Sequence, residues 1–236
     1  MPIKKLLTIF FALLTLNSFS QKKTYDIGFE AGINYGSLRG NEFANDFYKS
    51  KFSYSAGAFV EYSLNDIYAL RSGLYYDRKG ASYDIDETNE VGDIVGIVHG
   101  TTNLDYLVVP FLLRAHFGKE TRFFINGGPF VGFLISAKDK IDEFKPYPGY
   151  EYDTKDNYNK TDIGLSFGAG MSFPFGKRFE GSFEFKDNLG LTNIASYDNY
   201  FFGKVKTNAL YFLLGFSCRL GHVAGQEFKG DDKRGK

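Results

Sequence analysis

The sequence predicts an all-β protein: an eight-stranded antiparallel up-and-down β-barrel that spans a membrane. Three observations predict it. Apolar residues alternate with small or polar residues in eight segments, the links between segments alternate between short and long, and aromatic residues recur near the segment ends. Membrane barrels spread their apolar residues one in two along each strand. An average hydropathy on the polar side, as here, is therefore compatible with such a barrel.

The N-terminus predicts a cleaved signal peptide. Two lysines precede the apolar stretch from Leu6 to Leu16, and small residues follow at Ser18 and Ser20. This is the layout of a secretory signal, and the stretch is shorter than the about 20 residues that a spanning helix needs. We assign three parts to the chain: a signal peptide at 1–20, a barrel at 21–221 and a polar periplasmic tail at 222–236.

The alternation is clearest in two segments, 26–35 and 162–173. In the first, Ile27, Phe29 and Ile33 share one face, and the opposite face carries only charged, amide and glycine residues. Successive side chains of a strand point to opposite sides, so each segment has one apolar face and one small or polar face. Six noisier segments complete the set: 53–63, 68–83, 103–117, 122–136, 178–187 and 205–220.

The links between these segments predict the orientation. Short links fall at 65–66, 118–121 and 174–177, and long ones at 38–52, 84–102, 137–160 and 188–204. Outer-membrane barrels have short periplasmic turns and long extracellular loops. Many segments exceed the about 9 to 11 residues that cross a bilayer, so we expect them to project on the loop side. No water satisfies a strand edge in hydrocarbon, so the sheet must close. The expected location is the cell outer membrane.

Aromatic residues near the segment ends predict two girdles at the lipid headgroup level. The residues that we place on the lipid-facing side are Tyr25, Tyr35, Tyr54, Tyr62, Tyr68, Tyr76, Phe117, Phe123 and Phe173.

Eight charged residues on the small or polar face are expected to point into the barrel: Glu30, Glu61, Arg71, Asp77, Arg114, Glu180, Glu184 and Arg219. Charges removed from water must pair. The interior of an eight-stranded barrel is only wide enough to be filled by side chains. We therefore predict a salt-bridged interior, with a polar conduit or gated pore as the alternative.

The third long link interleaves charges with four tyrosines, Tyr147, Tyr150, Tyr152 and Tyr158. Exposed tyrosines suit recognition of proteins or glycans. The same side chains could instead rest on the barrel rim or on lipopolysaccharide.

Enzymatic, metal and nucleic-acid functions find little support. The 28 basic and 28 acidic residues balance, so no bulk charge attracts nucleic acid. Of the three histidines, His99 falls toward the outer rim, whereas His116 and His222 fall toward the periplasm, so no cluster is expected. We expect His116 to be a hydrogen-bonded residue of the barrel interior. The single Cys218 cannot form an internal disulfide. We expect no enzyme activity, catalytic residue, cofactor or metal. The expected partners are outer-membrane lipid, lipopolysaccharide and an envelope protein.

Three segments carry a resemblance to a known family: LDYLVVPFLLRAHF at 104–117, RFFINGGPFVGFLISAK at 122–138 and GLTNI at 190–194. They resemble the PorT-like outer-membrane β-barrel family of the Bacteroidetes. Tyr106, Pro110 and Arg114 match its Tyr-x-Glu-x-Pro-x-x-x-(Lys/Arg) strand, and the Gly-Pro-aromatic strand is matched at 128–130. Val108 stands where relatives often carry Glu. The resemblance implies architecture and location, and no activity is carried over.

Three functions remain open at this level. The first is a structural or interaction protein that acts through its extracellular loops. The second is an accessory component of an envelope secretion or uptake machine. The third is a soluble exported barrel that holds a ligand, with its apolar face turned inward, because alternation alone does not distinguish inside from outside.

Overall fold

A computed structural model describes residues 24–40, 42–118, 121–145, 147–196 and 203–220. The signal peptide and the periplasmic tail that we assign from the sequence lie outside the described residues.

The described chain consists almost entirely of antiparallel strands. Their bounds are β1 Tyr25–Arg39, β2 Lys51–Ser63, β3 Tyr68–Thr88, β4 Ile94–Phe117, β5 Arg122–Ile141, β6 Tyr150–Asp153, β7 Thr161–Phe175, β8 Phe179–Gly190 and β9 Lys206–Leu220. A short helix, α1 (Glu42–Phe47), follows β1. A 3₁₀ turn, Lys155–Asn157, precedes β7.

Eight of these strands close into a ring, and β6 pairs only with β5 outside it. The ring closes where β1 pairs with β9, from Tyr25 opposite Leu220 to Arg39 opposite Lys206. Closure leaves no unpaired strand edge in the hydrocarbon. The predicted all-β, eight-stranded up-and-down barrel is confirmed. The described residues contain no helix long and apolar enough to span a membrane.

The large apolar side chains face outward. In β1, Phe29 is 69% exposed and Ile33 54%, whereas Glu30 between them is 4% exposed. The other strands repeat this orientation, so the barrel wall is a continuous apolar band. A water-soluble protein rarely exposes an apolar patch of this size. The alternative of a soluble barrel with its apolar face inward is therefore wrong.

Aromatic pairs mark two levels on this outer wall. Tyr25 and Tyr62 pack at the short-turn end with ring centroids 5.0 Å apart, and Tyr35 and Phe52 pack at the other level at 4.9 Å. Ten residues separate Tyr25 from Tyr35 along β1. At about 3.3 Å per residue and a strand tilt of about 40°, the two levels are about 25 Å apart, which is the height of the apolar band in outer-membrane barrels.

The second and third long links are more ordered than the sequence analysis expects. β3 continues to Thr88 and β4 begins at Ile94, so most of 84–102 is a β-hairpin. β5 continues to Ile141, and β6 lies within 137–160. Above the bilayer both faces of a strand meet water and polar groups, so the alternation that reveals a membrane strand fades although the backbone pairing continues. The upper parts of β3, β4 and β5 therefore form, with β6, a four-stranded extracellular sheet.

Small residues and rings fill the barrel interior. A Cβ on Gly164 would lie 2.6 Å from the Phe130 ring, and one on Gly170 would lie 2.5 Å from the Phe124 ring. These two aromatic rings therefore occupy space that only glycine leaves free. An apolar layer fills the extracellular end, and Ile194 of the last long link is fully buried in it.

Candidate functional site

Five charged side chains from five different strands meet inside the barrel. Arg71 donates a hydrogen bond to Glu30, and its second terminal nitrogen lies 3.5 Å from Glu61. Arg114 lies 3.3 Å from the same Glu61 and 2.6 Å from Glu184. All five are buried. We call this set the lower network, because each arginine in it bridges two carboxylates.

A histidine and an asparagine side chain complete the lower network. His116 Nε2 lies 2.9 Å from Glu61 Oε1, and the Asn126 amide donates to Glu184 Oε1 at 3.0 Å. Three carboxylates then face two guanidinium groups and one imidazole. His116, expected from the sequence as a hydrogen-bonded interior residue, has this partner.

Aromatic rings pack against both arginine side chains. The Arg71 guanidinium carbon lies 3.4 Å from the Phe59 ring centroid, and that of Arg114 lies 3.8 Å from the Phe124 centroid. A cation held over a ring face gains about 0.5 to 2 kcal/mol. The rings therefore fix the guanidinium planes against which the carboxylates pack.

Glu180 and Arg219 do not join the lower network. Glu180 pairs with Arg122 at 2.5 Å. Arg219 forms a bidentate salt bridge with Asp26, in which both hydrogen bonds are 2.9 Å long. Both pairs lie nearer the periplasmic mouth, at the ends of their strands. Asp26 and Arg122 are absent from our sequence-based set, although Asp26 shares the inward parity of Glu30.

A second buried group, the upper network, includes Asp77 of that set together with residues that the set lacks. Lys79 lies 3.3 Å from Asp162 and 3.8 Å from Asp77. Thr207 donates to Asp162 at 2.7 Å, and the Tyr211 hydroxyl donates to Asp77. Alternation places all of these residues on the inward face, but it does not show which of them share a height.

Lys186 lies between the two networks. Its ammonium nitrogen is 5.1 Å from the Tyr75 ring centroid and 5.0 Å from that of Tyr211. Within the described ranges no carboxylate lies within salt-bridge distance of it, yet it acts electrostatically on both Asp77 and Glu184. Lys186 thus connects the two networks through rings and charge.

The extracellular sheet presents tyrosines above the bilayer. Tyr147 is 64% exposed and Tyr150 60%, and Tyr150 stacks with Tyr152 at a centroid distance of 5.8 Å. Tyr158 packs against the apolar layer and forms a β-bridge with Ala195, which is the arrangement of the rim alternative. It is part of the rim, and the exposed set reduces to the other three tyrosines.

The outward face of this sheet is charged and paired. Lys138 lies 2.6 Å from Glu151, and this hydrogen bond raises the pKa of Lys138. Lys49 and then His99 hold the pKa of Asp84 below its usual value by hydrogen bonding. These groups are exposed, so their pairing adds little to stability. They make this face of the sheet charged but contribute little to its stability.

Asp139 lies on the opposite, inner face of the sheet. Burial raises the pKa of this carboxyl, and a hydrogen bond from Thr102 opposes the shift. Burial, and after it the negative charge of Asp139, raises the pKa of Tyr83. Within the part of the chain that the structure describes, no three His, Cys, Asp or Glu side chains are grouped so as to hold a metal ion.

A comparison with known protein families agrees with this architecture. The model of the outer membrane protein β-barrel domain matches residues 19–196. Ail of Yersinia pestis, solved with the heparin analogue sucrose octasulfate, is similar at 11% identity over 85% of this chain and 100% of its own, with a TM-score of 0.39. Neisserial surface protein A, from Neisseria, is similar at 12% identity over 84% and 97%, with a TM-score of 0.45.

A third similar structure is the outer membrane protein OprG of Pseudomonas aeruginosa, at 10% identity over 85% of this chain and 97% of its own, with a TM-score of 0.45. No curated protein matches the chain. The family match spans most of the barrel, including all segments from β1 to β8. The protein is located in the outer membrane, and it belongs to the family of outer membrane protein β-barrel domains.

Proposed function

We propose that the protein is a surface-interaction protein, in which a filled barrel anchors an extracellular sheet and its tyrosines in the outer membrane. The observation that carries this proposal is the length of β3 and β4, which have 21 and 24 residues. A bilayer crossing needs about 9 to 11. Within the family we infer a PorT-like chain without enzymatic activity.

The filled interior supports an anchor rather than a channel. Both charge networks cross the full width of the barrel, with cations bridging carboxylates of different strands. Above them lies the apolar layer that includes Leu104, Phe130 and Ile194. An ion crossing this interior would have to break buried ion pairs and then pass an apolar layer, and each of these steps is costly.

The inner face of the extracellular sheet supports recognition. An open pocket of about 350 Å³ lies there, and Ile85, Val98, Ile141, Phe144 and Tyr150 are among the residues that line it. Tyrosine at the edge of such a pocket combines a large apolar area with a hydroxyl group. Interface hot spots are enriched in this residue. We propose a protein or glycan of a neighbouring surface as the partner.

The test compares purified barrel in lipid nanodiscs with two variants on panels of surface proteins and glycans. Tyr150→Ala removes a ring from the inner face and is expected to weaken binding about tenfold or more. Glu151→Gln changes the neighbouring residue on the outer face and is expected to leave binding unchanged. Wild-type protein that binds nothing, or a Tyr150→Ala variant that binds as well as Glu151→Gln, refutes the proposal.

A further inference from the structure

An open pocket of about 550 Å³ lies at the extracellular rim where β1 ends and β9 begins. It is lined by Arg39, Gly40, Asn45, Lys204 and Lys206. Three of these five residues are cations, and none is acidic. The pocket lies at the barrel seam, across the barrel from the tyrosine-bearing sheet of β3 to β6, so it is separate from the surface considered above.

The strand register brings two of the cations together. Arg39 on β1 is directly opposite Lys206 on β9. Opposite residues on antiparallel strands have Cβ atoms about 5 Å apart, and like charges in this position repel each other. A barrel that retains such a pair gains stability whenever an anion lies between the two charges.

Among the described residues, some polar groups of these cations have no hydrogen-bond or ion-pair partner. Arg39 donates one hydrogen bond, to the Gly190 carbonyl at 2.7 Å, while its Nε is buried without a partner. Within the described ranges, neither Lys204 nor Lys206 has a carboxylate within 4.0 Å. Asp187 lies within electrostatic range of Arg39 but outside the lining. Among the described residues, the lining of the pocket therefore carries three positive charges and no negative one.

The loop that forms the pocket wall depends on a close backbone approach. A Cβ on Gly40 would lie 2.2 Å from the Lys204 carbonyl oxygen, so only glycine fits. The Gly40 N–H donates to the Asn45 side chain at 2.9 Å. The close approach at Gly40 brings the chain segment with Lys204 against the end of β1, which places its cation beside the other two.

The height of the pocket indicates which anions reach it. Arg39 follows Tyr35 of the upper aromatic level by four residues. This spacing is about 13 Å along the strand and about 10 Å in height at a tilt of about 40°. The side chains of Arg39 and Lys206 both have the outward parity of their strands. They are therefore at the level of the phosphorylated headgroups of the outer leaflet.

We propose that this pocket binds a phosphoryl group at the outer surface of the membrane. A phosphoryl group carries up to two negative charges and several acceptor oxygens, which matches one guanidinium and two ammonium groups. The source is either a lipid headgroup or free phosphate. The proposal does not depend on a protein or glycan partner at the tyrosine-bearing sheet.

The test uses the full barrel in uncharged detergent, with sodium phosphate, diphosphoryl lipid A and dephosphorylated lipid A as separate probes. Binding is measured by native mass spectrometry and by the shift of the thermal midpoint. The variants are Lys206→Gln and Lys204→Gln, and the control is Lys160→Gln, an exposed extracellular lysine outside the pocket. Each pocket variant is expected to weaken binding of diphosphoryl lipid A about tenfold, and the control to leave it unchanged.

The outcomes separate the two sources. Protection by sodium phosphate that is lost in Lys206→Gln supports the proposal with free phosphate as a sufficient ligand. Protection by diphosphoryl lipid A alone supports it with the lipid as the source. Without any ligand, Lys206→Gln is expected to be as stable as wild type or more stable, because a repulsion is removed. Equal binding of both lipid A forms, or equal binding by Lys206→Gln and Lys160→Gln, overturns the proposal.

Discussion

Removal of Arg114 tests whether the lower network stabilises the barrel. Its guanidinium lies 2.6 Å from Glu184 and 3.3 Å from Glu61, and 3.8 Å above the Phe124 ring. Breaking a buried pair leaves an uncompensated charge and costs about 3 to 5 kcal/mol. Arg71 remains 3.5 Å from Glu61, so the loss falls mainly on Glu184. We expect Arg114→Met to lower the free energy of unfolding by about 4 kcal/mol.

A second substitution identifies the cause of this loss. In the double variant Arg114→Met/Glu184→Gln the charge that lost its partner is neutral, and the amide keeps a polar contact with Asn126. We expect it to be about 2 kcal/mol more stable than the sum of the two single variants predicts. Arg122→Met is the matched control. The Arg122 and Glu180 side chains are 24% and 18% exposed, so its loss is expected to stay at about 1 kcal/mol or less.

The assay is urea unfolding of the refolded barrel in detergent micelles. The chain has no Trp, so unfolding is followed by circular dichroism and by the mobility shift of folded barrels in gels. The reasoning is refuted if Arg114→Met costs no more than Arg122→Met. It is also refuted if the double variant shows no coupling between the two positions.

Three further predictions follow from the interior and the extracellular sheet. In planar bilayers the wild-type barrel is expected to show no steady conductance, because ion pairs and an apolar layer fill the interior; large stable openings would contradict this. Burial raises the pKa of Asp139, so its ionisation lowers stability. This loss is absent below the ordinary pKa of about 4 and develops as the pH rises through the raised value. Asp139→Asn should therefore be more stable than wild type at pH 7, and its free energy of unfolding in urea titrations should depend less on pH. A variant less stable than wild type would contradict this account. Gly164→Ala should cost about 1 to 3 kcal/mol, because its Cβ would lie 2.2 Å from the Leu189 carbonyl oxygen. The control Gly127→Ala has its nearest contact at 3.2 Å, and equal losses in urea unfolding would argue against the packing account.

Much of the fold can be predicted from the alternation of side chains. A period of two identifies each membrane strand and divides its residues into two faces. The last strand, for example, is expected at 205–220 and is found at Lys206–Leu220. The same parity places Glu30, Arg71 and Arg114 on one face. It requires no knowledge of neighbouring strands, because it depends only on the geometry of a single extended chain.

The partners inside the barrel depend on the tertiary structure. Lys79 meets Asp162 across 83 positions of sequence, and Glu180 pairs with Arg122 rather than with the lower network. Alternation shows which face of the strand a residue lies on, but not its height along the barrel axis. That height depends on how each strand is shifted against its neighbours around the closed ring. The extent of β3 and β4 above the bilayer has the same origin. Once water replaces lipid, backbone pairing rather than a hydrophobic pattern determines where these strands end.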